Sequence, residues 1–459
     1  MTGGWEPVIG LEIHVQLATK TKMFCGCELS FGDEPNVHTC PICLAHPGVL
    51  PVPNEQAVLY ALQIGLALGC EIAPWSIFHR KNYFYPDSPK AYQISQYDIP
   101  LARNGRLGEV RIHRAHLEED AAKMIHVGGA GRIQGSAASL VDFNRGGTPL
   151  VEIVTEPDLR GAAEAAEWAR LLRETVRQLG VSDVNMEEGS LRVDANVSVR
   201  PADSEELGTK TELKNMNSFR FLQRGIEAEL ARQRQLVESG GTVVQETLHF
   251  DPSSGTLTPL RSKEEAHDYR YFPEPDLVPI APTEEMLREA REALPELPAA
   301  RISRYEGLGL DSDTAALLAR EPEMAGYFEA VCGEADGLEP RVIANWVTGD
   351  LTAELRKKGD EEDFDNPTVS PVDLAHLARL VAEKRISHAS GRKVLGIMVA
   401  DGGEPDAIVE KAMAENPDAV EKIREGNGKA IGAIVGAVMR ETKGRADGGE
   451  VNRLIQERL

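Results

Sequence analysis

Four of the six cysteines fall in one short window, and their spacing is typical of a metal site. The four are Cys25, Cys27, Cys40 and Cys43. They form the strings CGC and, after a loop, CPIC, and four thiolates can fill the tetrahedral shell of one zinc ion. Because no coordination position then stays open, we predict a structural zinc knuckle over residues 25–43, with four free thiols as the alternative. Cys70 and Cys332 stand alone and are predicted to be small buried apolar side chains.

A second group of chemically useful residues consists of acids on segments with strand-like alternation. The group comprises Glu12, His14, the run Glu118, Glu119 and Asp120, then Glu152 and Asp194. Carboxylates with one imidazole suit Mg²⁺ or Mn²⁺, and several carboxylates facing one concave surface repel each other without a cation. The spacing does not establish that residues 12 and 194 meet, so a set of separate solvated acids is the alternative.

The standard glycine-rich phosphate loops are absent from the sequence. The motif GxxxxGK[ST] does not occur, and GGAGRIQG at 128–135 does not fit GxGxxG. A tyrosine-rich segment, residues 80–100, instead places aromatic rings beside Arg80, Lys81 and Lys90. Aromatic faces next to cations can hold a base and its phosphates. A tyrosine-rich loop packed on a sheet is the alternative.

The acids lie on segments that predict half-buried strands. In VIGLEIHVQL, residues 8–17, the odd-numbered positions are apolar, while Glu12 and His14 share the opposite face. Residues 190–200 repeat the alternation and place Asp194 on the polar side. Each strand is therefore predicted to have one apolar face that packs in a core and one polar face that carries the candidate functional residues.

Capped helices are predicted between the strands. Asn54 begins one that ends before Gly69, and a second runs over residues 162–179 to Gly180 with an apolar stripe along one side. The proline-dense stretch 272–298 then predicts a domain boundary.

The charge distribution restricts where a nucleic acid could bind. The sequence has 50 basic and 73 acidic residues, a net charge of −23, which discourages unspecific binding to nucleic acid or anionic membranes. Residues 284–363 hold 20 acidic and 9 basic residues and predict a solvated set of short helices. Residues 422–445 hold 6 basic and 2 acidic residues, a candidate RNA patch, around glycines at 428, 432 and 436 that predict helix packing. No apolar run approaches the roughly 20 residues of a membrane span, and the first residues, MTGGWE, lack a basic segment followed by a hydrophobic one. A cytoplasmic protein without a membrane partner is therefore expected.

Several long strings together resemble one family, the B subunits of glutamine-dependent aspartyl/glutamyl-tRNA amidotransferases. The strings are VIGLEIHVQL, KNYFYPDSPKAYQISQYD, HLEEDA, GTPLVEIVTEPD, VNMEEGSLRVDANVSVR, ELKNMNSF, DYRYFPEPDLVP and, at the end of the chain, GNGKAIGAIVGAVMRETKGRADGGEVNRLI. The resemblance implies an α+β fold: an N-terminal cradle domain with a mainly antiparallel sheet and flanking helices, an all-α helical domain and a small helical tail. We place these at 1–294, 295–401 and 402–459, with tRNA binding assigned to the tail.

The resemblance also implies a reaction and its partners. ATP phosphorylates the side-chain carboxylate of glutamate or aspartate misacylated onto tRNA, and ammonia then displaces phosphate. The ammonia comes from a partner amidase A subunit, a small C subunit joins the two, and no DNA partner is expected. Asp-tRNA(Asn), Glu-tRNA(Gln) or both are the substrates. The alternative of a different class is a non-catalytic, zinc-containing tRNA-binding scaffold.

Carried over motif by motif, the resemblance assigns the divalent-metal ligands to five residues. They are Glu12 and His14 of GLEIH, Glu118 of HLEED, Glu152 of TPLVEI and Asp194 of LRVDAN. Lys81, Lys90 and Arg192 are candidate contacts to phosphate or substrate. The family usually has glycine after the alanine of HLEEDA, where this chain has Ala122, so a changed local geometry is expected if that position needs a positive φ.

Overall fold

The computed structural model describes residues 4–128, 136–252, 254–259, 269–358, 364, 367–383, 388–401, 438, 451 and 453. The chain divides into two units, Met1–Leu297 and Pro298–Leu459. The sequence-based boundary after residue 294 stays a prediction. The tail proposed for 402–459, with its basic patch and glycines, lies outside the described residues apart from three positions.

The described part of the first unit consists of β-strands and four helices. The strands are β1 (Trp5–Gln16), β2 (Glu71–Ile72), β3 (His79–Asn82), β4 (Tyr92–Ser95), β5 (Ala102–Leu107), β6 (Val110–Glu119), β7 (Lys123–Val127), β8 (Ala138–Asp142), β9 (Pro149–Thr155), β10 (Leu191–Pro201), β11 (Thr211–Met216), β12 (Thr247–Asp251), β13 (Thr256–Pro259) and β14 (Phe272–Pro273). The helices are α1 (Glu55–Ala67), α2 (Ala162–Gln178), α3 (Phe219–Glu238) and α4 (Glu284–Glu292).

Nine of the described strands form one large sheet in the order β13-β12-β11-β10-β1-β9-β6-β5-β2. Neighbouring strands are antiparallel except β11 and β12, which run parallel. A second sheet has the order β14-β3-β4, and β7 pairs antiparallel with β8. A large, mostly antiparallel sheet in the N-terminal part agrees with the predicted α+β class.

The two faces of β1 differ in burial as the alternation of its residues predicts. Ile9, Leu11, Ile13 and Val15 are buried, whereas Glu12 and His14 keep partial access to solvent. Helix α3 packs against β10 and β11, and α1 packs against β5 and β6. The polar face of the central strands is thus left for a site.

The predicted helix ends are confirmed. The side chain of Asn54 accepts hydrogen bonds from the backbone N–H groups of Gln56 and Ala57, which caps α1. Gly180 follows α2 with φ +67°, a conformation that costs little only without a Cβ. Cys70 is buried, as predicted.

The second unit is helical throughout its described part. Its helices are α5 (Pro298–Gly307), α6 (Ser312–Arg320), α7 (Pro322–Glu334), α8 (Pro340–Asn345), a π-helical segment (Trp346–Leu351), α9 (Thr352–Lys358), α10 (Pro371–Ala382) and α11 (His388–Asp401). Proline at the first turn of α7, α8 and α10 fixes φ where no intrahelical N–H bond is lost. The core is apolar around Tyr305, Phe328, Trp346 and Leu374. Cys332 packs against this core but is half-buried, whereas a buried side chain was predicted. Among the described residues no helix is long and apolar enough to cross a membrane.

Candidate functional site

The sheet register brings the five predicted metal ligands together on one face. In the pairing of β1 with β10, Glu12 lies opposite Asp194. In the pairing of β1 with β9, His14 lies opposite Glu152. Directly opposite residues of antiparallel strands project from the same face, so four ligands lie on three adjacent strands. Glu118 joins them from β6, the next strand of the sheet.

His14 lies at the centre of this acidic cluster. Its Nε2 is 3.3 Å from Oε1 of Glu118, 3.6 Å from Oε2 of Glu152 and 4.0 Å from Oε1 of Glu12. Two overlapping triads each bring their possible ligand atoms within 4.8 Å of one another: Glu12, His14 and Asp194, and His14, Glu118 and Glu152. The acids therefore lie close together in the structure, and the shared metal site stays a prediction.

The electrostatics of the cluster fit a cation. Burial, and then the charge of Glu152, raise the pKa of both Glu12 and Glu118. Burial lowers the pKa of His14, but the hydrogen bond with Glu152 and the charges of Glu118 and Glu152 outweigh it and raise the pKa to about 9. Positive charge between these acids, from a protonated His14 or from a bound metal cation, favours their ionisation together. Oxygen donors with one imidazole are a donor set that Mg²⁺ or Mn²⁺ accepts.

Glu152 has further partners that the sequence did not predict. His116, opposite Glu152 in the pairing of β6 with β9, places its Nε2 3.6 Å from Oε2 of Glu152. Arg114 donates to Oε1 of the same carboxylate at 3.3 Å. Burial lowers the pKa of His116 to about 4, so its imidazole is neutral at pH 7. A period of two along HRAHLEE is the only sequence signal for either residue.

Lys214 is the second omission. It donates to Oδ2 of Asp194 at 2.7 Å and lies 2.8 Å from Oε1 of Glu212. Burial lowers the pKa of Lys214, but the charges of the two acids outweigh it and raise it. Lys214 lies in the string ELKNMNSF, which belongs to the family resemblance but has no distinctive spacing that indicates a site residue.

The three predicted cations line the same cavity. Lys81 lies with its Nζ 4.8 Å from the ring centre of Tyr269, and Lys90 is paired with Glu119. Arg192 donates to Oδ2 of Asp120 at 2.9 Å. Asp120 also accepts from the side chain of Gln16 at 2.9 Å, so a buried acid fixes the direction of the guanidinium.

The cavity has a volume of about 650 Å³ and lies entirely within the first unit. It is lined by His14, Glu118 and Asp194 from the cluster and by Lys81 and Tyr83 from the tyrosine-rich segment. This volume is within the usual range of small-molecule sites. The cavity therefore joins a candidate cation site to the cations that could hold an anionic substrate.

The four cysteines of the window form a second cluster. Their sulfur atoms lie within 4.8 Å of one another. The backbone N–H of Cys40 donates to the sulfur of Cys43 at 3.2 Å, and a hydrogen bond from Cys25 is the main cause that lowers the pKa of Cys43 to about 4. In the part of the chain that the structure describes, the cluster consists of four sulfur donors, a set that fits a closed metal site of the zinc type.

Position 122 does not require glycine. Ala122 is buried, it is not among the residues with positive φ, and its N–H donates to the carbonyl oxygen of Asp87 at 2.9 Å. The alanine is accommodated without backbone strain.

Family models match most of the chain. The model described as "GatB/GatE catalytic domain" matches residues 7–288, and the model described as "GatB domain" matches residues 326–459. The first match contains every residue of the acidic cluster and of the cysteine cluster.

Curated relatives are similar over nearly the whole length. One from Brevibacillus brevis is 48% identical, one from Persephonella marina 46% and one from Geobacter sulfurreducens 47%, each over 99% of this chain and 99% of the relative. All three are named as the B subunit of an aspartyl/glutamyl-tRNA(Asn/Gln) amidotransferase.

Proposed function

Because this chain belongs to the family of aspartyl/glutamyl-tRNA(Asn/Gln) amidotransferase B subunits, we propose that its acidic cluster activates the side-chain carboxylate of a misacylated tRNA with ATP. The chain is part of a glutamine-dependent ligase that converts misacylated Glu- or Asp-tRNA to Gln- or Asn-tRNA. Membership of this family decides against the non-catalytic scaffold. Such an enzyme has several subunits, and we propose an amidase A subunit and a small C subunit as the partners of this chain.

One observation carries the assignment of the site. Glu12, His14, Glu118, Glu152 and Asp194 converge from four neighbouring strands, and three of them, His14, Glu118 and Asp194, line a cavity that also presents cations. These five residues would hold a divalent metal ion. When bound, such an ion neutralises charge on the triphosphate and the charge that develops during phosphoryl transfer.

The reaction has two steps, phosphorylation of the substrate carboxylate and displacement of phosphate by ammonia. An oxygen of the substrate carboxylate forms a bond to the γ-phosphorus of ATP while the bond to the bridging oxygen breaks and ADP leaves. The nitrogen of ammonia then bonds to the activated carbonyl carbon, phosphate leaves with the oxygen, and the nitrogen loses a proton. The attacking carboxylate is already ionised at pH 7, so the first step needs no general base. We accordingly assign His14 as a ligand and not as a proton acceptor, and its imidazole would lose its ring proton when the metal binds.

The cations of the cavity position the substrates. Lys81, Lys90 and Arg192 would contact phosphate or the substrate carboxylate, because they are the predicted cations that line the cavity. Arg192 is held by the buried Asp120, and a preformed direction reduces the entropy lost when an anion binds. Lys214 belongs with this group, since it contacts Asp194 directly.

We propose zinc as the ion of the cysteine cluster. Its four sulfur atoms are close enough to share one ion, and a set of four thiolates suits the tetrahedral preference of zinc. The ion would be structural, because the cysteines leave no coordination position for a substrate.

The decisive experiment measures tRNA-dependent ATP cleavage by the complex assembled from this chain and its partner subunits. Asp194→Asn removes one ligand charge and should reduce cleavage about 100-fold or more, while tRNA affinity and folding stay near normal. Asp203→Asn, at an exposed acid in the turn after the same strand, is the matched control and should behave as the parent. Unchanged ATP cleavage in Asp194→Asn would refute the assignment of the metal ligands.

A further inference from the structure

Lys22 is a buried cation beside the cysteine cluster. Its side chain is 1% exposed, and it is one of the largest fully buried side chains of the described residues. Its Nζ lies 3.7 Å from the sulfur of Cys43 and donates to the carbonyl oxygen of Phe143 at 2.9 Å. No carboxylate oxygen of a described residue lies within 4.0 Å of Nζ of Lys22, the distance limit for an ion pair.

A buried ammonium without an anion is costly. Removing such a charge from water has an effective cost of several kcal/mol unless an opposite charge and hydrogen bonds compensate it. The carbonyl oxygen of Phe143 supplies a dipole but no charge. The sulfur of Cys43 is the remaining acceptor, and it can supply a charge only as a thiolate.

The cysteine cluster has the complementary imbalance. Four thiolates around a zinc dication leave two negative charges in excess, in a place where Cys25 is buried and the other three cysteines are half-buried. Hydrogen bonds and charges around the ligands of a metal tune its affinity. The excess negative charge and the unpaired ammonium are therefore adjacent.

We propose that Lys22 is the counter-cation of the metal-bound cysteine cluster, and that its ammonium retains the metal by donating to the Cys43 thiolate. The inference rests on the zinc of the proposed function and on no feature of the acidic cluster. Lys22 acts on the metal through Cys43, so it is a positioning residue.

The surroundings of Lys22 hold its side chain in this direction. Gly147 has φ +88°, and a Cβ built there would lie 3.4 Å from Cδ of the lysine, so the stem of Lys22 is closely covered. The N–H of Met23 donates to the carbonyl oxygen of Gly147 at 2.7 Å. Through its contacts with the sulfur of Cys43 and the carbonyl oxygen of Phe143, the ammonium of Lys22 connects the cysteine cluster to the turn at residues 143–147.

The first test measures the rate at which the full chain, in its complex, releases zinc to a competing chelator. Lys22→Met keeps the length of the side chain and removes the charge, and it should release zinc at least about 10-fold faster than the parent. Lys20→Met, at an exposed lysine two positions earlier, is the matched control and should release zinc at the parent rate. Equal release rates in Lys22→Met and the parent would overturn the proposal.

A double-mutant cycle provides a second readout that does not depend on activity. Lys22→Met should lower the melting temperature of the zinc-loaded parent. In the background Cys40→Ser with Cys43→Ser it should leave the melting temperature unchanged or raise it, because the ammonium there has no thiolate partner.

The cycle also separates the possible failures. Equal shifts in both backgrounds, or loss of folding in both, would show that Lys22 acts independently of the metal and would overturn the inference. A parent without zinc would overturn both the zinc assignment and the role of Lys22. Neither result would affect the assignment of the acidic cluster, which is tested by ATP cleavage.

Discussion

At the scale of single residues, Glu152 is the acid on which the contacts of the site converge. His14, His116 and Arg114 all lie within 3.6 Å of its carboxylate oxygens. Burial raises the pKa of Glu152, but the charge of His116, then the hydrogen bond and charge of His14 and the charge of Lys81, outweigh it and lower the pKa far below its usual range. Glu152 is thus held ionised next to Glu12 and Glu118, whose pKa values are raised. A bound cation would stabilise the negative charge of the three acids, and a proton alone compensates it only in part.

Cys70 allows a test of burial by pH. Burial is the main cause that raises the pKa of its thiol to about 12. At pH 9 only about one part in a thousand would be thiolate, so alkylation by iodoacetamide should be slow in the folded chain and fast in denaturant. The unfolded thiol ionises first, so the contribution of Cys70 to stability is lost as the pH rises from about 9 towards 12.

Mass spectrometry after timed labelling gives the rate at each cysteine. Cys332, whose pKa burial raises to about 11, is the internal comparison and should react before Cys70 as the pH increases. Labelling of Cys70 at the rate of an exposed thiol would contradict its packing against Gly105 of β5.

At the scale of elements, the antiparallel register of β1 determines the site. The strand pairs with β10 on one side and with β9 on the other, so a shift of one residue in either pairing would turn a ligand to the helix-covered face. The buried row from Ile9 to Val15 opposes such a shift, because it would place apolar side chains in the cavity.

The cysteine window is an element of its own and predicts a measurable metal content. Elemental analysis of the purified protein should give about one zinc per chain. Replacing Cys40 and Cys43 with serine should release the zinc and lower the melting temperature by a few degrees. At this chain length such a shift corresponds to a loss of roughly 2 kcal/mol or less in the free energy of unfolding. The loop is held elsewhere by Asn36, which donates to Val141 and accepts from Phe143, so complete unfolding is not expected. Stoichiometric free thiols without metal would contradict the prediction.

At the scale of the whole molecule, a net charge of −23 must be reconciled with binding to tRNA. Six basic and two acidic residues lie between 422 and 445, so this segment is a local exception to the acidic composition. Each phosphate contact adds roughly 0.9 to the slope of log affinity against log salt, so a basic patch has a defined signature.

Removal of residues 402–459 should therefore weaken tRNA binding by the complex and flatten its salt dependence. Glutamine hydrolysis assayed without tRNA should stay near the parent rate, which serves as the control for assembly. Equal tRNA affinity and equal salt slope in the truncated complex would assign the tail a purely structural role.

The local features of this protein could be predicted from its amino-acid sequence. Alternation in residues 8–17 and 190–200 predicted two central strands, Asn54 and Gly180 predicted helix ends, and the cysteine spacing predicted four clustered sulfurs. Each of these depends on residues near one another in the chain, where periodicity, capping and spacing act directly. The resemblance then supplied the family and the five candidate ligands.

The contacts between distant residues depend on the folded arrangement of the strands. Glu12 and Asp194 are brought opposite each other by pairing of distant strands, and nothing local in either strand encodes that contact. His116, Lys214 and the counter-cation Lys22 were not predicted as site residues for the same reason. A histidine or lysine in an alternating or mixed segment has no distinctive spacing, and its function depends on the charge that the fold places beside it.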